Sequence, residues 1–299
     1  VYKSMGEYSK ALEYYEKSLE IKKKTLPANH PDLATSYNNI GLVYKSMGEY
    51  SKALEYYEKS LEIRKKALPA NHPDLATSYN NIGNVYNAMG GYSKALEYYG
   101  KSLEILKKAL PENHPDLASS YNNIGFVHNS MGEYSKALEY YGKSLEIMKI
   151  GLPENHPSLA TSYNNIGLVY HSMGEYSKAL EYYKKDLEIM KKTLPENHPD
   201  LATSYNNIGN VYNAMGGYSK ALEYYEKSLE ILKKALPTNH PSLATSYNNI
   251  GWVYRNRTDY KKALDYFHRA LDIWQRSLRL NHPNMQSVQE CIDFVKKKL

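Results

Sequence analysis

Cysteine is nearly absent: Cys291 is the only one among 299 residues. An intrachain disulfide framework is therefore excluded, and a reducing, cytoplasmic compartment is favoured. Phenylalanine and tryptophan are scarce as well, three and two residues against 32 tyrosines. Tyrosine suits a thin core, where a ring buries its body while the hydroxyl reaches water or a partner. No apolar run is long enough to cross a bilayer and no signal-peptide pattern opens the chain, so no membrane partner is expected. A broad basic stripe is missing too. Residues 251–299 carry ten Lys or Arg against five Asp or Glu, whereas the first 250 residues carry 28 against 27. Nucleic acid is thus not an expected partner, and any preference for an acidic one belongs at the C-terminal end. A glycine-rich phosphate loop and a nucleophile elbow are also lacking, so neither an enzyme nor a cofactor is expected.

What is present is repetition. Asn-His-Pro begins at residues 29, 71, 113, 155, 197, 239 and 281, always 42 residues apart. A longer copy lies above it: residues 71–111 and 197–237 differ only at Gly100 versus Glu226. Recent duplication would leave this pattern, and so would a consensus-derived array. Self-similarity at such a period is the mark of a stacked repeat architecture.

Residues 29–70 show what one unit builds. His30 is placed as an N-cap and Pro31 as the first helical residue, where its missing N–H costs nothing. Leu33, Tyr37, Ile40, Tyr44 and Met47 recur at three- and four-residue steps along one helix face. Gly48 ends that helix. Tyr50, Ala53, Leu54, Tyr57, Leu61 and Leu68 then mark a second stripe, which Pro69 stops. Two helices joined this tightly pack antiparallel, and one hairpin cannot bury both stripes alone. The expected fold is therefore an all-α solenoid of antiparallel helix hairpins. Gly41 and Ala53 recur in all six complete units, implying a backbone approach that a larger side chain would block. A mid-helix Gly costs roughly 1 kcal/mol relative to Ala.

The organisation that follows is a single repeat domain. Residues 1–28 form a truncated first repeat with only its second helix complete, because Val1–Gly6 match Val43–Gly48. Residues 29–280 hold six complete units, and 281–299 form a capping helix with a wet outer face. The stripe of the leading helix (Tyr8, Ala11, Leu12, Tyr15, Leu19) is expected to be partly bare, as in a piece cut from a longer array. Self-association through that helix is the alternative reading of the chain's function.

Tyr37, Ile40, Gly41, Tyr44, Gly48, Tyr50, Ala53, Tyr57 and Leu61 fall at the spacings of the tetratricopeptide signature. The usual period is about 34 residues, so each unit carries eight more. With its Asn-His-Pro-Asp opening and Tyr-Asn-Asn-Ile-Gly centre, this form resembles the repeats of kinesin light chains and nephrocystin-like scaffolds over essentially the whole chain. The family more often has Leu at the Tyr37 position and Leu-Gly at Leu68-Pro69, and the last full unit has Arg257-Thr258 for Met-Gly. No heptad segment is present, so attachment to kinesin is not implied. The resemblance implies a right-handed superhelix whose first helices line a concave groove for an extended peptide or partner protein.

Carried over position by position, the resemblance nominates three sets of groove residues. Asn38, Asn80, Asn122, Asn164, Asn206 and Asn248 form a uniform ladder, and each carboxamide can pair with either group of a peptide backbone. Leu42, Asn84, Phe126, Leu168, Asn210 and Trp252 come next, followed by Lys45, Asn87, Asn129, His171, Asn213 and Arg255. These two sets vary and would read side chains. None of the three sets contains an acidic residue. The second asparagine of each pair, such as Asn39, is expected in structural hydrogen bonds between helices. Phe126 and Trp252 either anchor a ligand or fill space against a neighbouring helix. The histidines of Asn-His-Pro recur one per hairpin, roughly 16–20 Å apart, too far to share a metal ion. His128, His171 and His268 have no carboxylate or thiol partner at ligand spacing. Glu55–Lys59 and Glu62–Lys66 read as a solvated helix face.

Overall fold

Each Asn-His-Pro starts a helix by the same device. His30 sits in extended backbone and its Nδ1 accepts the Asp32 N–H at 3.2 Å, with Pro31 at the first helical position. A capping acceptor satisfies one of the N–H groups that a helix start leaves without a partner. His72, His114, His156, His198, His240 and His282 repeat the bond. In five copies the first helix stops where a glycine takes positive φ, as Gly48 does at +78°. In the sixth, Thr258 holds φ 61°.

The computed structural model describes residues 7–278 and 282–299, which form fourteen helices and no strand. They divide into two compact units, Val1–Leu152 and Pro153–Leu299. The match of Val1–Gly6 to a first-helix end and the expected boundary at 280/281 lie outside the described residues.

The first unit holds α1 (Tyr8–Thr25), α2 (Pro31–Ser46), α3 (Tyr50–Ala67), α4 (Pro73–Ala88), α5 (Tyr92–Ala109), α6 (Pro115–Ser130) and α7 (Tyr134–Gly151). The pairs α2/α3, α4/α5 and α6/α7 are hairpins, and each second helix packs on the next first helix. The second unit holds α8 (Pro157–Ser172), α9 (Tyr176–Thr193), α10 (Pro199–Ala214), α11 (Tyr218–Ala235), α12 (Pro241–Asn256), α13 (Tyr260–Ser277) and α14 (Pro283–Lys296), stacked in the same way. The chain is an all-α solenoid of helix hairpins, as the repeat requires.

The closest approach within a hairpin is made by a ring. A Cβ on Gly41 would lie 3.0 Å from Tyr57 Cδ1 and 3.2 Å from the Ala53 carbonyl oxygen. On Gly125 it would lie 2.9 Å from Tyr141 Cδ1. The recurring glycine thus makes room chiefly for an aromatic side chain, where the pattern suggested backbone. Tyr57, Tyr99, Tyr141, Tyr183 and Tyr225 fill these slots and are buried. Most other tyrosines are half-buried: Tyr44 stacks on Tyr56 at 5.4 Å, and Lys52 and Lys59 sit over those two rings.

In α1, Ala11 and Leu19 are buried, Leu19 against Leu33 and Ile40, while Tyr8, Leu12 and Tyr15 are half-buried, so the leading stripe is partly bare. One expectation needs correction. His128 does have a carboxylate partner: its Nδ1 lies 2.7 Å from Glu133 Oε2, across the turn that follows α6. At the other end, α14 buries Val288, Ile292 and Val295 and leaves Gln286, Gln289 and Glu290 in water, the two-faced pattern of a capping helix.

Candidate peptide-binding surface

Residues four and seven positions beyond Asn38 share its side of α2, and the same holds in every first helix. In the first unit this face carries Asn38, Leu42 and Lys45 on α2, Asn80, Asn84 and Asn87 on α4, and Asn122, Phe126 and Asn129 on α6. In the second it carries Asn164, Leu168 and His171 on α8, Asn206, Asn210 and Asn213 on α10, and Asn248, Trp252 and Arg255 on α12.

The two asparagines of each pair prove to be one device. Asn81 Nδ2 donates to Asn38 Oδ1 at 2.8 Å, and Asn123 Nδ2 to Asn80 Oδ1 at 2.9 Å. In the second unit, Asn207 donates to Asn164 and Asn249 to Asn206, both at 2.8 Å. The second asparagine of one repeat therefore stitches onto the first asparagine of the repeat before it. This occupies an acceptor that a bound peptide could otherwise use. On Asn38, Asn80, Asn164 and Asn206 the Nδ2 donors are left over among the described residues, and they suit carbonyl oxygens.

The next set divides by chemistry. Asn84 Oδ1 accepts from Tyr99 Oη at 2.7 Å, and Asn210 Oδ1 from Tyr225 Oη at 2.6 Å. These asparagines serve the hairpin itself. Phe126 is open, 47% exposed, and Leu168 is 43% exposed. Trp252 is half-buried and meets Phe267 edge-on at 6.2 Å. Where this position is Trp, the ring beneath it is Phe, which has no hydroxyl to satisfy. Pairing at a fifteen-residue offset was the sequence signal for this coupling.

In the third set the polar atoms turn inward. Oδ1 of Asn87 and of Asn129, Nε2 of His171 and Nε of Arg255 are enclosed without a hydrogen-bond partner. Burial lowers the His171 pKa, so the ring is neutral at pH 7. Asn213 Oδ1 accepts from Asn256 at 3.4 Å. Lys45 is half-buried. The Arg255 guanidinium is sandwiched, 4.4 Å from the Trp252 ring and 4.2 Å from that of Phe294. Phe294 comes from α14 and had no place in the sequence reading. With His171 neutral, the charges on these faces are Lys45 and Arg255.

The sequence matches the tetratricopeptide repeat family over residues 1–66, 74–150, 116–192, 158–234 and 200–276. The chain belongs to that family, whose repeats are in general protein-interaction modules on a non-catalytic scaffold fold. Its 42-residue form is that of kinesin-light-chain-like repeats. BtubC (BKLC) from P. vanneervenii is similar in structure, with TM-score 0.67 and 23% identity over 76% of this chain and 92% of that one. A Podosopora anserina protein described as a kinesin light chain, with nearly identical repeats of this type, gives TM-score 0.61 and 26% identity over 69% of this chain and 98% of its own. The crystal structure of the APC/C hetero-tetramer Cut9-Hcn1 gives TM-score 0.61 and 20% identity over 98% of this chain and 48% of that one. No match was found among curated protein sequences.

Proposed function

We propose that this chain is an adaptor module that holds an extended peptide or a partner protein against the exposed faces of its first helices, within a cytoplasm. One observation carries the reading. Asn80 and Asn206 each keep two amide donors uncommitted while their carbonyls are tied into the stitch. Donors fixed in place by their own structural bond lose little freedom when a backbone carbonyl docks, which favours binding. Phe126 and Leu168 supply exposed apolar contacts on the corresponding faces of α6 and α8. Cut9-Hcn1, a hetero-tetramer, places a similar fold within a protein assembly. Self-association through α1 is the alternative reading, with Tyr8, Leu12 and Tyr15 half-buried and Ala11 and Leu19 already covered.

The test keeps the stitch and removes the donors. Peptides are selected by display on the whole chain, and their affinities are compared with those for an Asn80→Asp, Asn206→Asp variant. Aspartate still accepts from Asn123 and Asn249 but cannot donate. A several-fold affinity loss with unchanged melting temperature supports the reading, since a hydrogen bond to either asparagine is worth ~1 kcal/mol. Unchanged affinity for every selected peptide counts against it.

A further inference from the structure

An open furrow of about 860 Å³ runs between α5 and α7. Leu117 and Tyr121 of α6 and Ile147 and Ile150 of α7 are its apolar lining, and Glu112, Glu146, Lys107 and Lys143 are its charged lining. It is separate from the surface described above. At ~100° per residue, Asn122 and Phe126 point roughly 140° and 180° around α6 from Leu117.

Comparison among the repeats shows what is unusual. Position 150 is basic in all six other copies: Lys24, Lys66, Lys108, Lys192, Lys234 and Arg276. Each of those cations binds the carboxylate four residues earlier, at 2.7–2.8 Å. The matching furrow of the second unit, between α9 and α11, shows the full arrangement. There Lys234 holds Glu230 at 2.7 Å and is also under the field of Glu196, the counterpart of Glu112.

Ile150 removes that cation. Glu112 and Glu146 then have no ion-pair partner among the described residues, while Ile150 itself is 67% exposed. The lysines nearby are already engaged: Lys143 binds Glu139 at 2.6 Å, and Lys107 lies over the Tyr121 ring at 5.7 Å. A bare isoleucine therefore stands between two unanswered carboxylates.

We propose that the furrow between α5 and α7 is a second docking surface, taking a partner segment in which an apolar side chain neighbours a lysine or arginine. The apolar side chain covers Ile147 and Ile150, removing them from water. The cation takes the place that Lys234 fills in the second unit, between Glu112 and Glu146. A basic partner is favoured because neither lysine that lines the furrow answers Glu112 or Glu146: Lys143 is held by Glu139, and Lys107 lies over the Tyr121 ring.

The experiment is a peptide-display selection on the whole chain, with each round depleted on the Ile150→Lys variant. That variant restores the residue of the other repeats, so it keeps the fold. Survivors are expected to carry Lys or Arg within a few residues of Leu, Ile or Phe. They are expected to lose about tenfold in affinity on Ile150→Lys, roughly one apolar side chain's worth of contact, and several-fold on Glu112→Gln with Glu146→Gln. They are expected to keep their affinity for the Asn80→Asp, Asn206→Asp variant, which separates this site from the first. No survivors, or survivors lacking a basic residue, would overturn the proposal. So would concentration-dependent dimerisation of the unmodified chain that Ile150→Lys abolishes, since the furrow would then belong to a second copy.

Discussion

The Tyr99 hydroxyl donates to Asn84 Oδ1 at 2.7 Å, whereas the equivalent Tyr57 hydroxyl, under Leu42, is buried with no partner. The same ring in the same slot thus carries a satisfied phenol in one repeat and an orphan in another. Tyr57→Phe should leave stability unchanged or raise it slightly, because it removes a buried group that has no bond to lose. Tyr99→Phe should cost about 1 kcal/mol, with Asn84 left short of a donor. Leu42→Asn should recover stability only while Tyr57 keeps its hydroxyl. Urea denaturation of the single and double variants measures all three.

Two mid-helix glycines should respond to alanine with opposite signs. At Gly100 a Cβ would meet nothing within 4 Å, so Gly100→Ala should stabilise by up to about 1 kcal/mol through helix propensity. At Gly125 the new Cβ would sit 2.9 Å from the Tyr141 ring. There Gly125→Ala should destabilise by ~1–3 kcal/mol, overpacking outweighing propensity. Equal effects at the two sites, read from denaturation midpoints, would remove the ring contact as the reason for the recurring glycine.

Thr258 stands where five repeats place a glycine and holds φ 61°, a conformation that suits a β-branched residue poorly. Thr258→Gly should stabilise the second unit by about 1 kcal/mol, less what glycine adds to unfolded-state entropy. Hydrogen-exchange protection in α12 and α13 should rise with it.

Asp186 supplies a pH dependence. Ser60, Ser102, Ser144 and Ser228 occupy its position in other repeats and donate to a carbonyl across the hairpin, as Ser60 does to Ala34 at 2.7 Å. Asp186 is 2% exposed and accepts from Ser204 Oγ at 2.6 Å. Burial pushes its pKa up to about 6, with the Asp200 charge adding to the rise and the Ser204 hydrogen bond opposing it. The folded carboxyl therefore holds its proton where the unfolded one, near 3.9, has lost it. Its contribution is favourable at low pH and is lost as pH rises from about 4 through 6, on the order of 3 kcal/mol in all. Asp186→Ser should be the more stable form at pH 7.5, and its advantage should shrink as pH falls from 6 towards 4. A constant difference in melting temperature over that range would refute the shift.

Helix starts and stops were legible because they depend on neighbours in sequence. A histidine reaching the N–H two residues on, a proline at the first turn and a glycine at positive φ are local devices, and periodicity then shows which side of each helix is apolar. The candidate surface was legible only as a register: Asn38, Leu42 and Lys45 share a face by helix geometry alone. What each side chain does there was not. The bond from Asn81 to Asn38 joins residues 43 apart, and the Tyr99–Asn84 bond joins residues 15 apart. Asp186 was overlooked, although a carboxylate among five serines and an alanine was visible as an exception. The same is true of Ile150 among lysines.

The sequence by itself determined the repeat, the fourteen helices and the stacking of hairpins, because local caps and a 42-residue apolar period leave a hairpin no other way to bury two stripes. Tertiary structure alone decided which polar groups are used up. A hydrogen bond needs a partner within about 3 Å, and whether a carboxamide finds a tyrosine, another asparagine or nothing depends on which helix the fold lays beside it.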